Sequence, residues 1–459
     1  MKLLLRWNIK ALANLAVISA LVIAALIGTS TSVLQAQVPP VQPVDEAVLR
    51  EYAGVYRWKQ DSFLYLQLWS EFAGTNQLVA FDETGEVRTL FATDRDWFFA
   101  GPGAAVPTAV ESEIEFQRSG AGSITSLVWR RSGVERSAVR VDIENSEYVR
   151  FANGDVRLAG TLIRPTLGKK HPAIILVHGS GAADREYMLP FARFLIRRGI
   201  AVLGYDKRGV GGSTGDWRSA SFDDLAGDVV AAFRYLKTRR HIDGSQIGLL
   251  GWSQAGWVMP LAAVREKDIA FLISVSGAAI PVAETTIDQA RNEMTASGRQ
   301  PHIIDQIIDL MKLQYTFAQT NEGWASYVAA RDRLIAQIGR APDSFPATSD
   351  APQWETIRRL YLYEPAPTLR QLQTPILGIF GELDNNILAE KNMAAWESAL
   401  KASGNRDYTL RIVPKANHLQ LEANIGSNAE MPSLRRFAPA YANTIIEWLA
   451  TRVRGFEGP

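Results

Sequence analysis

Bounded apolar runs of strand length recur through the C-terminal two-thirds of the chain, at residues 173–177, 201–205, 247–250, 270–275, 376–380 and 408–413. Helical patterns fill several of the gaps. From Ser221 to Lys237, for example, Leu225, Val229, Ala232, Phe233 and Leu236 return at helical spacing after a capping-box-like start at Ser221 and Asp224. Strands that are apolar throughout, alternating with helices, predict a mostly parallel sheet covered on both faces. Ahead of them, residues 148–164 read as an antiparallel lead-in that turns at Asn153-Gly154.

The alternation stops between Ser276 and Pro375. Helical patterns at 286–297, 302–320, 324–338 and 354–362 make this stretch, about 282–370, a helical insertion expected to sit as a cap over the carboxyl ends of the strands. Its Met294, Met311, Tyr315, Phe317, Trp324, Tyr327, Trp354 and Tyr361 are candidates for an apolar pocket lining, though packing of the cap accounts for most of them. Upstream, residues 45–142 alternate differently. Short runs at 63–69, 77–81, 88–92, 97–99, 114–116 and 126–130, separated by Gly, Asn and Asp, predict a small antiparallel barrel or sandwich. Its expected role is structural, packed on the following domain or restricting access to it.

The candidate chemistry starts at Ile247-Gly-Leu-Leu-Gly-Trp-Ser253-Gln254-Ala255-Gly256, an apolar strand running through a tight turn into a helix. Such a turn lifts the Ser253 Oγ clear of the sheet, and Gly251, Ala255 and Gly256 lack the bulk that would block it. An ordinary strand–helix turn carrying a serine looks the same locally, so the partners decide. Of five histidines, His171 precedes a strand, His241 lies in a polar stretch and His302 in the insertion. His178 opens the Gly-rich turn His178-Gly179-Ser180-Gly181, whose N–H groups suit an oxyanion hole together with that of Gln254. His418, in a loop after a late strand, is left as the general base. The acid candidate is Asp384, just past the 376–380 strand, with Glu382 as its rival. Asp206 also follows a strand, but Lys207-Arg208 beside it offer a structural ion pair.

These strings together resemble the α/β-hydrolase superfamily. From about residue 147 to 459 the chain is most similar to the bacterial esterase and dienelactone-hydrolase-like group that overlaps the serine peptidase relatives. The resemblance rests on His178-Gly179-Ser180-Gly181, Tyr205-Asp206-Lys207-Arg208-Gly209-Val210-Gly211-Gly212-Ser213, the Ser253 turn, Gly381-Glu382-Leu383-Asp384 and Asn417-His418. It implies the α/β-hydrolase fold and the chain order Ser253, Asp384, His418. It also implies acyl transfer through a serine ester, with Ser180 or Gly181 and Gln254 at the oxyanion. One departure is Ala255, where the family's turn usually ends in glycine; a methyl group is expected to tighten the turn. A small acyl ester is the expected substrate and a short peptide the alternative. A β-propeller of the kind larger relatives carry does not fit into residues 45–142. The contrasting reading is a binding module without catalysis, which has no need of all three residues.

The N-terminus adds location. Lys2, Arg6 and Lys10 precede an uncharged apolar run over 11–28, and residues 1–36 read as a cleaved export signal or an uncleaved membrane anchor. A periplasmic or secreted protein is expected, with membrane attachment in the second case. Removing those three basic residues takes the formal net charge of +1 to −2, and no basic face suits nucleic acid. The chain has no cysteine, which excludes disulfides, a thiol nucleophile and a thiolate metal site. Scattered histidines give no metal-ligand spacing, and no cofactor is expected.

Overall fold

The computed structural model describes residues 38–70, 76–340, 342 and 344–456. The segment read as an export signal or anchor lies outside the described residues. Among the described residues no helix is long and apolar enough to cross a membrane.

Among these residues the first sheet is nine-stranded and antiparallel throughout. Across it run Val87–Thr89, Gln77–Asp82, Ser62–Trp69, Gly54–Lys59, Val134–Val141, Ile124–Arg131, Ser112–Arg118, Trp97–Ala100 and Phe91–Asp94. The two edge strands are consecutive in the chain, with Leu90 alone between them. A sheet whose opposite edges lie one residue apart must curl round, so it forms a nearly closed barrel. The run expected as one strand over 88–92 is therefore two. It breaks at Leu90, whose N–H donates to the Leu78 carbonyl at 2.8 Å.

Strand Ser62–Trp69 shows why the barrel is not a separate body. Leu64, Leu66 and Leu68 join the barrel's own core with Tyr56, Phe98 and Phe116. The alternate residues Phe63, Tyr65 and Trp69 point the other way and share a second core with Phe191, Phe437 and Tyr441 of the following domain. With a side-chain period of two and both faces covered, nearly every position is apolar. The Trp69 indole N–H also donates to the Tyr187 carbonyl at 3.0 Å.

The second sheet is eight-stranded among the described residues. Its order is Glu144–Asn153, Val156–Pro165, Ala201–Tyr205, His171–Val177, Ile242–Trp252, Leu272–Val275, Ile376–Gly381 and Tyr408–Val413. The first two strands form an antiparallel hairpin and the rest run parallel. The hairpin turns at Gly154-Asp155, closed by the Asn153–Val156 pair, one residue later than Asn153-Gly154. Gly154 takes the positive φ of 57° that the turn requires. Ile175, Val177 and Leu203 face a core shared with helices Phe222–Lys237, Ala255–Arg265 and Ala389–Ser403. Ile174, Leu176 and Val202 face the core shared with helix Pro439–Ala450 and the barrel. This is the α/β-hydrolase fold, preceded by the antiparallel domain. The expected capping box forms: Ser221 Oγ accepts from the Asp224 N–H at 3.1 Å, and Asp224 Oδ2 accepts from the Ser221 N–H at 2.8 Å.

The insertion carries helices Val282–Ala296, Pro301–Thr320 and Trp324–Ile338, with a short tail at Gln353–Thr356. Phe317, Trp324, Tyr327 and Trp354 form one aromatic cluster with centroids 4.7–6.2 Å apart. The cap thus has a core of its own. Most aromatics considered for a pocket lining hold the cap helices to each other.

Candidate active site

The site lies at the carboxyl ends of the parallel strands, where loops converge and backbone dipoles are unspent. Strand Ile242–Trp252 runs beside His171–Val177, pairing Gly251 with Val177, and ends at Ser253. Ser253 has φ 55°, a left-handed conformation costing a non-glycine residue about 1–3 kcal/mol. Its neighbours hold it there. The Ser253 N–H donates to the Val275 carbonyl at 3.1 Å, and its carbonyl accepts from the Gly256 and Ala278 N–H groups at 2.9 and 3.2 Å. Glycine is forced at two positions. A Cβ on Gly251 would lie 2.5 Å from the Ala255 Cβ, and one on Gly256 would lie 2.5 Å from the Ala278 backbone. The Ala255 methyl fills space that a bare Gly251 leaves open, and the turn survives the departure.

Two strands away, Ile376–Gly381 delivers Asp384, whose side chain is fully buried. One of its oxygens accepts from the N–H groups of Asn386 and Ile387 at 2.9 and 2.8 Å. Both approach His418 Nδ1, at 3.1 and 3.0 Å. In the neutral imidazole this pairing puts the proton on Nδ1 and the lone pair on Nε2. Glu382 points elsewhere, exposed and accepting from the Lys415 N–H at 2.7 Å. The structure thus brings Asp384, not its rival, to His418.

The His418 loop is pinned from behind. The Ser276 hydroxyl donates to the His418 carbonyl at 3.0 Å and accepts from Gln420 Nε2 at 3.1 Å. Ser276 ends strand Leu272–Val275 at a positive φ of 45°. No sequence feature marks it, because its role depends on a residue 142 positions away.

The Gly-rich turn stands on the other side of Ser253, and a Cβ on Gly179 would lie 3.6 Å from that of Ser253. Its His178 is buried and donates through Nε2 to the Tyr205 carbonyl at 2.6 Å. Burial, reinforced by the Lys207 charge, pushes its pKa down to about 3, so it is a neutral structural group. Of the remaining histidines, His171 is buried with Nδ1 3.3 Å from the Gly199 carbonyl, His241 is half-buried and His302 is exposed.

Lys207 is the residue the sequence reading misassigned. Asp206 does make a structural ion pair, but with Arg185, while Arg208 pairs with Asp228 at 2.7–2.8 Å. Consecutive side chains leave the strand end in different directions, so adjacency did not make partners. Lys207 itself is buried, and its ammonium donates to the carbonyls of Gly179 and Gly181 at 2.8 and 3.0 Å and to Gln254 Oε1 at 3.2 Å. Burial pushes its pKa down to about 7, against the opposing pull of Asp228.

One acidic group of the cap faces the site. Glu293, on Val282–Ala296, accepts from Asn428 Nδ2, which also approaches Asn386 Oδ1 at 3.4 Å. Burial holds its carboxyl above the ordinary range, opposed by the charge of His418. Glu322 and Glu355, also in the insertion, are exposed.

Comparison with known proteins shows the family. The model of the alpha/beta hydrolase family matches residues 174–425, more than half of the chain, and the chain belongs to that family. It is 26% identical to the esterase EstD of Thermotoga maritima over 62% of this chain and 65% of the esterase. It is 22% identical to dipeptidyl-peptidase 5 of Porphyromonas gingivalis over 80% of this chain and 48% of the peptidase. The chain thus spans about two thirds of one relative and half of the other. A solved Pyrococcus furiosus esterase aligns at 17% identity and a TM-score of 0.43, over 68% of this chain and 92% of that one.

Proposed function

We propose that this chain is a serine hydrolase that cleaves carboxylic esters through an acyl-enzyme. The observation that carries the reading is the buried Asp384–His418 pair, which lies at the carboxyl ends of the same parallel strands as a serine on a strained strand–helix turn. His418 Nε2 takes the Ser253 proton as Oγ attacks the ester carbonyl. Backbone N–H groups of Gln254 and of Ser180 or Gly181 receive the oxyanion. His418 then passes its proton to the leaving alcohol, and later activates the water that releases the acid. The Asp384–His418 geometry favours the tautomer this cycle needs. The N-terminal segment supports an exported location, periplasmic or secreted.

A second reading has one observation in its favour. Glu293 is a half-buried carboxylate that faces His418 and has no ion pair among the described contacts, a setting suited to a substrate ammonium group. It points to aminoacyl esters or peptides with a free N-terminus. The deciding experiment is turnover of p-nitrophenyl esters of graded acyl length, beside an aminoacyl p-nitroanilide, by the chain from Gln37 and by its Ser253→Ala variant. Ester turnover with a chain-length optimum, reduced on the order of 10⁴–10⁶-fold in Ser253→Ala, is expected. Anilide cleavage outrunning every ester would establish the peptidase reading. No serine-dependent turnover of either would leave a binding module.

A further inference from the structure

We propose that Lys207 is a positioning residue for the oxyanion hole: its ammonium grips the Gly179 carbonyl and so aims the Ser180 N–H at the oxygen that gains charge beside Ser253. This rests on the serine-hydrolase reading above and deepens it. A trans peptide is planar, with its N–H pointing opposite to its C=O. The Gly179 carbonyl and the Ser180 N–H belong to one such unit. An ammonium 2.8 Å from that carbonyl therefore fixes the direction of the N–H on the far side. A charged donor on the carbonyl also polarises the unit, which strengthens the N–H as a donor. The Gly181 N–H belongs to the next unit, whose carbonyl is that of Ser180, and that oxygen is not among the acceptors of Lys207. The geometry thus selects Ser180 over Gly181.

The same ammonium reaches the other half of the hole. Gln254 Oε1 accepts from it at 3.2 Å, and Gln254 follows Ser253 at the entrance to helix Ala255–Arg265. One cation thereby ties together two loops that meet only at the site. Its third proton goes to the Gly181 carbonyl at 3.0 Å, and the Lys207 N–H donates to the Ala183 carbonyl at 3.0 Å. A buried ammonium whose hydrogen-bond partners are three uncharged oxygens is costly to fold, so its retention calls for work that an apolar residue cannot do.

The test uses purified Lys207→Met and Lys207→Arg beside Ser253→Ala, with p-nitrophenyl butyrate as substrate. A propyl trifluoromethyl ketone, which forms a tetrahedral oxyanion on a serine, serves as inhibitor. Methionine keeps the length and removes every donor. It is expected to lower kcat about 100-fold, the scale of losing an oxyanion-hole donor, with KM within threefold. The ketone inhibition constant should rise by the factor that kcat/KM loses. A folded Lys207→Met with kcat within threefold of wild type, or with the loss confined to KM while ketone affinity holds, overturns the proposal. If Lys207→Met is recovered unfolded, Lys207→Arg decides. Its planar fork keeps the charge without the three-way grip, so kcat should fall at least tenfold in step with ketone affinity, and unchanged values refute the assignment. Undiminished turnover by Ser253→Ala would instead remove the serine-hydrolase reading itself.

Discussion

The barrel and the cap both flank the α/β sheet, yet they are joined to it in opposite ways. The barrel gives up one face of its own strands: Phe63, Tyr65 and Trp69 sit in the same apolar core as Phe191, Phe437 and Tyr441. Backbone bonds seal the joint, from the Val87 N–H to the Arg435 carbonyl at 2.9 Å and from the Phe437 N–H to the Gly85 carbonyl at 2.8 Å. The segment so held in turn pairs with the loop of His418, through Glu422 N–H to the Arg436 carbonyl at 2.9 Å and Ala438 N–H to the Gln420 carbonyl at 2.7 Å. The cap instead keeps most of its aromatics to itself, and only its two ends, at Val282 and at Leu360, Tyr361 and Tyr363, pack against the core of the body. Between those ends it meets the body through polar links such as Lys391 to Glu284 and Asp288, and Asn292 to the Asn385 carbonyl. An apolar joint is non-directional and proportional to buried area, so the barrel is part of the catalytic body. Polar links at an exposed edge contribute little each, so the cap is joined less firmly than the barrel.

That contrast is open to attack, most forcefully at the joint. Trp69→Ala deletes a buried ring that touches Phe81 and Phe191 at 5.5 Å. It should destabilise the whole protein by about 3–5 kcal/mol, seen as one cooperative denaturant transition moved as a unit. A separate early transition for the barrel alone would show the two domains to be independent. Trp354→Ala removes a comparable ring from the cap core. Here a separate early transition is expected, by hydrogen exchange confined to the cap helices, with acetate ester turnover retained and long-acyl KM raised several-fold. A single global transition would contradict the separateness of the cap.

Acid titrates the body directly. His178 has a folded pKa of about 3, below its ordinary value, so between the two the unfolded chain binds a proton that the native one does not. Stability therefore rises with pH across that window and falls on acidification, by a few kcal/mol in all. His178→Gln, which keeps an amide donor for the Tyr205 carbonyl, should flatten the acid limb of a stability–pH curve measured from pH 7 to 4. An unchanged limb would assign it to other groups. The smallest effect belongs to the cap: Glu293→Gln should raise KM for an aminoacyl ester about tenfold, the loss of one charge-assisted contact, and leave neutral esters within twofold. Equal effects on both would make Glu293 a structural residue.

How much of this was legible in the chain follows from what each residue responds to. Residues 173–177 and 376–380 are apolar on both faces because the sheet is covered on both faces, so their period exposes them directly. Val134–Val141 escaped notice for the converse reason. Val134–Val141 has Ala138 as its single fully buried position, and its remaining side chains are exposed or half-buried, leaving no apolar alternation to read. Ser253 was visible because a turn that tight constrains its neighbours to Gly251, Ala255 and Gly256. Asp384 and His418 were visible because each follows a strand, and the structure places them within hydrogen-bond distance. Lys207 stood inside a quoted motif, yet its partners Gly179, Gly181 and Gln254 are brought to it by two other loops, and no local pattern encodes that meeting. Ser276 and Asn428 are of the same kind.

The central claim, a covalent ester on Ser253, is tested most directly by trapping it. The chain from Gln37 would be quenched in acid within one turnover of a p-nitrophenyl ester, digested, and its peptides weighed and fragmented. A single acyl adduct on Ser253, absent in Ser253→Ala and accumulating in His418→Ala only far more slowly, is the result the account predicts. Sustained turnover with no adduct on that serine, or an adduct on another residue that Ser253→Ala leaves intact, would contradict it.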